Sequence, residues 1–323
     1  MRVLSDPDVA SLLDLEALLP VVESAFLAQG RGDVERPERP HFPVGVGLDE
    51  TAPDDPLGTG LVMPAYVHGS AYYATKLAAV HEGNAARDLP TVNATIAAFE
   101  ARTGLPVAYL AGTRVTNART GCIGGLAVHA LARETPVRLA VLGGGAQARW
   151  QTRAIGAAVD VADVRVYSPN SREACAEDLR EAGFDAVAVD SPAAAVRDAT
   201  VVVTTTPSTE PVFDGDDLAP GTLVVAVGAY TAEMRELDAR TIERAGLIVA
   251  DVPEEAVTVG DLADAGVTEV PPLSAVFEGE IGRSSSEEII VVESVGSAVL
   301  DAATAGWLID RAESRAAGTV VDL

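Results

Sequence analysis

A glycine-rich turn at residues 143–148 limits the folds open to this chain more than any other feature. Arg138-Leu139-Ala140-Val141-Leu142 reads as a short apolar strand, Gly143-Gly144-Gly145 as a turn, and the stretch from Ala146 to Ala158 as a helix. In Gly143-x-Gly145-x-x-Ala148 the first glycine permits the tight turn and the second lets backbone approach a pyrophosphate. The small third residue lets helix pack on strand. An anion would rest at the helix N-terminus, on free N–H groups and the positive end of the dipole. Such a turn needs a parallel sheet around it. Residues 164–167, 186–189, 201–205, 223–227 and 247–250 supply five more short apolar strands between helical stretches, with Asn170 or Ser171 as cap of the helix from Arg172. The expectation is an α/β, Rossmann-type, doubly wound parallel sheet covered on both faces.

Which dinucleotide fits is set near the end of the second strand, about 20 residues beyond the turn, where an acid would hold the ribose 2′-OH of NAD. Here that strand runs into Ser168-Pro169-Asn170-Ser171-Arg172, without a carboxylate. A hydroxyl and a nearby guanidinium suit a 2′-phosphate, so NADP(H) is favoured and NAD(H) remains possible.

The first 115 residues follow another rhythm. A helix is expected over 14–29, strands over 61–66 and 72–80, and a hairpin from 92–99 and 105–110 around Arg102-Thr103-Gly104. Thr116 reads as the N-cap of a long helix to about Arg133, and 297–317 as a tail helix. These predict a discontinuous α+β domain, 1–116 with 297–323, beside a dinucleotide-binding domain at 117–296.

Charge narrows the function classes. The 323 residues carry 23 Lys+Arg against 48 Asp+Glu, a formal net charge of −25. That field disfavours nucleic acid and anionic membrane surfaces. No apolar run approaches the roughly 20 residues of a spanning helix, and the first residues show no apolar leader, so a cytoplasmic location is expected. Lys76 is the sole lysine. High acidity with almost no lysine matches adaptation to strong salt; Arg-rich codon usage would explain the lysine count but not the charge. A lone ammonium also matters chemically, because Lys shifts its pKa on burial whereas Arg stays charged. Cys122 and Cys175 form no metal-ligand or disulfide spacing, and no metal site is expected. His41, His68, His81 and His129 read as packing or surface residues, although His41 is near Arg39 and His81 near Lys76 in sequence.

Several segments, in order, resemble the ornithine cyclodeaminase/mu-crystallin family. They are Pro37-Glu38-Arg39-Pro40, Ala74-Thr75-Lys76-Leu77, Leu89-Pro90-Thr91-Val92, Thr103-Gly104-Leu105-Pro106 and Thr116-Asn117-Ala118-Arg119-Thr120. After these come the 142–148 turn with its Gln147, Val227-Gly228-Ala229 with Arg235-Glu236-Leu237-Asp238, and Glu293-Ser294-Val295-Gly296. The resemblance implies a Rossmann domain plus a substrate domain that also forms a homodimer. It implies that Arg39, Lys76, Arg119 and Val295 line the substrate pocket, with Lys76 and Arg119 catalytic. It implies further that Thr91, Arg119, Gly143, Gly145, Ala146, Gln147, Ser168, Arg172, Thr206, Val227 and Ser294 lie along the cofactor.

The residues give these roles a physical basis. Lys76 can donate a proton to nitrogen as hydride reaches carbon, and Arg119, read as close to a helix start, suits a carboxylate or phosphate. The sequence departs from the cyclodeaminases at Tyr230, which stands where they carry an aspartate that acts in ammonia loss. Tyrosine, with an ordinary pKa near 10, is a poor base at neutral pH, and Glu233 is three positions away. The expectation is an NAD(P)-dependent oxidoreductase acting on a small amino or imino acid, as a ketimine reductase or alanine dehydrogenase. Ornithine cyclodeamination and cofactor-dependent ligand binding without catalysis are the alternatives.

Overall fold

Side chains alternate between two faces along 72–80, 92–100 and 106–111, and this period-two pattern builds an antiparallel sheet. The computed structural model describes residues 1–87 and 89–322. It divides into one unit of Met1–Asp14, Arg31–Arg119 and Ala298–Leu323 and another of Leu15–Gly30 and Thr120–Ser297.

The first unit contains β1 (Arg2–Leu4), α1 (Asp6–Leu12), β2 (Val34–Glu35), β3 (His41–Val44), β4 (Gly58–Val67), β5 (Tyr72–Val80), β6 (Val92–Glu100) and β7 (Pro106–Ala111). Its sheet runs β1-β7-β6-β5-β4-β2, with a C-terminal strand (Thr319–Val320) outside β1 and β3 on β4. Leu4, Leu110, Ile96, Lys76 and Met63 are successive cross-strand partners on one buried row. The C-terminal helix (Ala298–Ser314) packs on β4, β5 and β6 and covers that face. Val3, Tyr73, Leu77 and Tyr109 alternate to the opposite face and are exposed, with Tyr73 stacked on Phe99 at 5.1 Å.

Two expected boundaries change. Helix α2 (Leu15–Gly30) groups with the second unit rather than with residues 1–116. Helix α3 (Gly112–Leu131) starts directly from β7, so Thr116 lies inside it and does not cap it, and the unit boundary falls within this helix after Arg119. At the junction, a Cβ on Gly112 would meet the Ala94 backbone at 2.9 Å; the turn from strand to helix is tight enough to need glycine.

The second unit contains β8 (Val137–Leu142), α4 (Ala146–Ala158), β9 (Val161–Tyr167), α5 (Arg172–Glu181), β10 (Ala186–Ala188), β11 (Val201–Thr204), β12 (Leu223–Ala226), β13 (Ala245–Ala250) and β14 (Ile289–Glu293), joined by further short helices. All neighbours in the sheet, β10-β9-β8-β11-β12-β14-β13, are parallel. The strand order reverses between β8 and β11, the place where a doubly wound sheet opens a crevice at its carboxyl edge. The sheet has seven strands rather than the six expected, because β14 inserts between β12 and β13. Its Ile289-Ile290-Val291-Val292 is a short continuous apolar run, buried on both faces and therefore without alternation. Helix α2 packs on α4 and on the helix Leu273–Phe277, with Phe26 and Phe277 rings 5.6 Å apart. Among the described residues no helix is long and apolar enough to cross a membrane.

Candidate functional site

Lys76 occupies a core position. It lies between Met63 and Ile96 on the covered face of the sheet and is 3% exposed. A buried ammonium needs a partner, and the C-terminal helix provides one. Asp301, on the helix's buried stripe and in its first turn, is 2% exposed. Its Oδ2 lies 2.6 Å from Lys76 Nζ, and its Oδ1 accepts a 2.9 Å hydrogen bond from Arg119 Nε. The positive end of the helix dipole adds to the stability of the carboxylate there.

Arg119, 4% exposed, is the eighth residue of α3 and not near its start, so the helix terminus plays no part in its chemistry. The Asp301 carboxylate orients its guanidinium instead. Arg119 Nη1 is buried without a hydrogen-bond partner. Two buried cations therefore share one buried anion, and one guanidinium nitrogen is left over. Burial pushes the Lys76 ammonium down, Asp301 pulls it up, and Arg119 and then Arg39 push it down again. The balance leaves it at about 8, against an ordinary 10.5. Burial acts to raise the Asp301 carboxyl, yet Arg119 and Lys76 hold it below the usual carboxylate value.

Arg39 is half-buried, and its charge reaches Lys76. His41 and His129 are exposed, His68 pairs with Glu35 at 3.1 Å, and His81 is half-buried; none acts on the Lys76 ammonium. Thr91 is exposed, and its carbonyl accepts from the His81 N–H at 2.8 Å. Cys122 and Cys175 are buried free thiols pushed up by burial. Among the described residues no group of three or more His, Cys, Asp or Glu is placed to hold a metal ion.

In the second unit the glycine turn has the expected geometry. Gly143 has φ +118°, and a Cβ there would sit 2.4 Å from Thr205 Oγ1. Gly145 is the N-cap of α4 and Ala146 its first residue; no side chain caps the helix, and a Cβ on Gly145 would meet nothing within 4 Å. Arg149 Nη1 donates to the Gly144 and Gly145 carbonyls, at 2.7 and 3.0 Å, and so fixes the loop. Half-buried Gln147 follows Ala146. An uncapped helix start beside an open glycine fits a dinucleotide pyrophosphate.

Beyond β9, Ser171 is the N-cap residue of α5, as expected, and the Cys175 N–H donates to its carbonyl, but its side chain makes no capping bond: Ser171 Oγ lies 3.0 Å from Ser168 Oγ instead. Arg172 Nη2 pairs with the exposed Asp190 at 3.1 Å, and its Nη1 reaches the Ser168 carbonyl at 3.5 Å. Thr206, Val227, Ser294 and Val295 all lie at the carboxyl edge of the sheet, where Val227 N–H donates to the Thr204 carbonyl and two acids without an expected role, Glu236 and Asp251, hold the neighbouring loops. Glu236 accepts from Thr206 N–H at 2.5 Å, Gly228 N–H at 2.7 Å and Thr204 Oγ1 at 2.8 Å. Asp251 accepts from Ser294 Oγ at 2.7 Å and from the Gly296 and Val295 N–H groups at 2.8 and 3.0 Å. Burial pushes Glu236 up to about 7 despite its three donors, and pushes Glu293 well up with the help of Asp261, Glu236 and Asp251. Tyr230 is 40% exposed.

Residues 1–316 match the sequence profile of the ornithine cyclodeaminase/mu-crystallin family. An alanine dehydrogenase of Archaeoglobus fulgidus is 31% identical over 332 residues, spanning 99% of this chain and 97% of that protein. Two solved structures are similar along their whole length. The Δ1-pyrroline-2-carboxylate reductase of Thermococcus litoralis, in complex with NADH and L-proline, has a TM-score of 0.91 and 29% identity, covering 99% of this chain and 100% of that one. An archaeal alanine dehydrogenase dimer with bound NAD has a TM-score of 0.90 and 29% identity, covering 100% and 99%.

Proposed function

The chain belongs to the ornithine cyclodeaminase/mu-crystallin family, and we propose that it is an NAD(P)-dependent oxidoreductase that reduces the C=N bond of a small imino acid. The observation that carries this reading is the buried trio of Lys76, Arg119 and Asp301, whose two cations outnumber the anion and leave Arg119 Nη1 unpartnered. A substrate carboxylate is the ligand such a site lacks, since burial without a partner costs a charged donor several kcal/mol. In this reading Arg119 binds the carboxylate, with Arg39 adding charge nearby; the family resemblance assigns Val295 to substrate as well.

Lys76, at about 8, is mostly protonated at neutral pH yet gives up its proton readily. It protonates the amine nitrogen as the C=N bond is reduced, which yields CH–NH from imine, hydride and proton. A bound reduced nicotinamide supplies the hydride. Gly143, Gly145, Ala146 and Gln147 would hold the pyrophosphate, and Ser168 and Arg172 the adenosine ribose. In the second unit Thr206, Val227 and Ser294 would contact the rest of the dinucleotide, and the family resemblance assigns Thr91 and Arg119 of the first unit to it as well. The absence of an acid at Ser168 favours NADP(H) over NAD(H), with Asp190 as the group a 2′-phosphate displaces from Arg172. The first unit binds substrate and the second binds the dinucleotide. The exposed apolar face at Val3, Tyr73, Leu77 and Tyr109 supports a homodimer. Tyr230, in place of the cyclodeaminase aspartate, weighs against ornithine cyclodeamination.

The test follows nicotinamide absorbance with NADPH and with NADH, offering cyclic five- and six-membered imino acids, and separately pyruvate with ammonia. Turnover on either class, with loss of reduced cofactor, is expected; no oxidation of either cofactor with any substrate would refute the reading. Ornithine converted to proline and ammonia without net cofactor change would point to the cyclodeaminase.

A further inference from the structure

We propose that Asp301 is the positioning residue of this site: it keeps the Lys76 ammonium protonated and turns the Arg119 guanidinium so that Nη1 is left for the substrate. The inference rests on the reading of Lys76 and Arg119 as the substrate anchor and goes beyond it, because it assigns a separate task to a residue that does not touch the substrate.

The geometry separates the tasks. Each Asp301 oxygen faces a different cation, Oδ1 toward Arg119 Nε and Oδ2 toward Lys76 Nζ. A negatively charged Asp301 would repel an incoming carboxylate, so its place is behind the two cations. By occupying Nε it fixes the plane of the guanidinium, because the fork of five N–H donors is rigid. Its own charge is secured by burial between two cations and by the first turn of the C-terminal helix.

The charges acting on Lys76 come from three elements. Asp301 is on the C-terminal helix, Arg119 on α3, and Arg39 on the segment before β3. The strand neighbours of Lys76, Met63 and Ile96, carry no charge. Of these influences only Asp301 favours the ammonium; burial, Arg119 and Arg39 all oppose it. Without the Asp301 charge, burial, Arg119 and Arg39 all act against a protonated Lys76.

The chain's single lysine makes this directly measurable. Labelling lysine at Cε gives one NMR signal, whose pH titration in the full-length protein reports Lys76 alone and needs no substrate. In Asp301→Asn the midpoint should fall by more than about one pH unit, a tenfold loss of protonation. The alkaline limb of kcat/KM for imine reduction should move down with it, and KM should rise. A merely structural Asp301 would lower activity at every pH and leave the limb in place. An unchanged midpoint in Asp301→Asn overturns the proposal. Should that variant not fold, Asp301→Glu decides: its retained charge should hold the midpoint while its longer arm raises KM, and an unchanged KM overturns the positioning role. Because the titration is read without turnover, a failure of imine reduction overturns the functional reading and leaves this measurement standing.

Discussion

Lys76→Met should stabilise the protein while abolishing turnover. A lowering of the ammonium from 10.5 to about 8 means that holding it charged in the fold costs about 3 kcal/mol at pH 7. The attraction of Asp301 is already inside that figure, and Asp301 keeps Arg119 as its partner in the variant. Met is also close to Lys in length and joins a row of Met63, Ile96, Leu110 and Leu4, so no cavity opens. The gain should therefore approach about 3 kcal/mol in the free energy of unfolding at pH 7, several degrees in Tm. Its pH dependence is specific. The folded value lies below the unfolded one, so the penalty is fully imposed below pH 8, shrinks between 8 and 10.5, and vanishes above. Urea unfolding at pH 7 and again near 10.5 measures both ends. A loss of about 3–5 kcal/mol at pH 7, the usual result of breaking a structural buried pair, would show that the ammonium stabilises the fold, and a gain that persists undiminished at high pH would show that its charge is not the cause.

Three other variants test the cofactor half of the site. Gly143→Ala forces a Cβ to 2.4 Å from Thr205 Oγ1 at φ +118°, and should abolish NAD(P)H binding in a fluorescence titration; wild-type affinity would contradict the assigned turn. Glu236→Ala strips the acceptor from the Thr206 and Gly228 N–H groups and from Thr204 Oγ1. At about 1–3 kcal/mol for a buried unsatisfied donor, cofactor Kd should rise on the order of 10–100-fold, and an unchanged Kd would show that the clamp does not set the loop. Ser168→Asp should shift the kcat/KM ratio toward NADH by at least about tenfold through repulsion of a 2′-phosphate; an unmoved ratio would place the choice elsewhere.

The parallel sheet was legible because short apolar strands and the glycine turn each have a local signature. The strand β14 was not, since Ile289-Ile290-Val291-Val292 is buried on both faces and shows no period. Thr116 had the chemistry of a cap, but Gly112 lets α3 begin at the end of β7, and tertiary packing overrides the local preference. Lys76 stands out by residue type and Arg119 by motif, and the structure places the two on one buried carboxylate. Asp301 is one of 48 acids and belongs to no motif. Its one signal in the sequence is its setting: an acid among Ala298, Val299, Leu300, Ala302 and Ala305 interrupts the apolar stripe of an amphipathic tail helix, and a buried acid needs a cation. Glu236 and Asp251 lie among loops whose fold could not be read before the sheet order was known.

In the proposed reaction the surplus cation of the Lys76–Arg119–Asp301 trio holds the substrate carboxylate. A crystal structure of the protein with NADPH and a cyclic amino acid such as proline would show this at atomic distance. A carboxylate oxygen is expected at about 3 Å from Arg119 Nη1, with the amine nitrogen within reach of Lys76 Nζ. A carboxylate bound away from Arg119, with Nη1 still unpartnered, would contradict it.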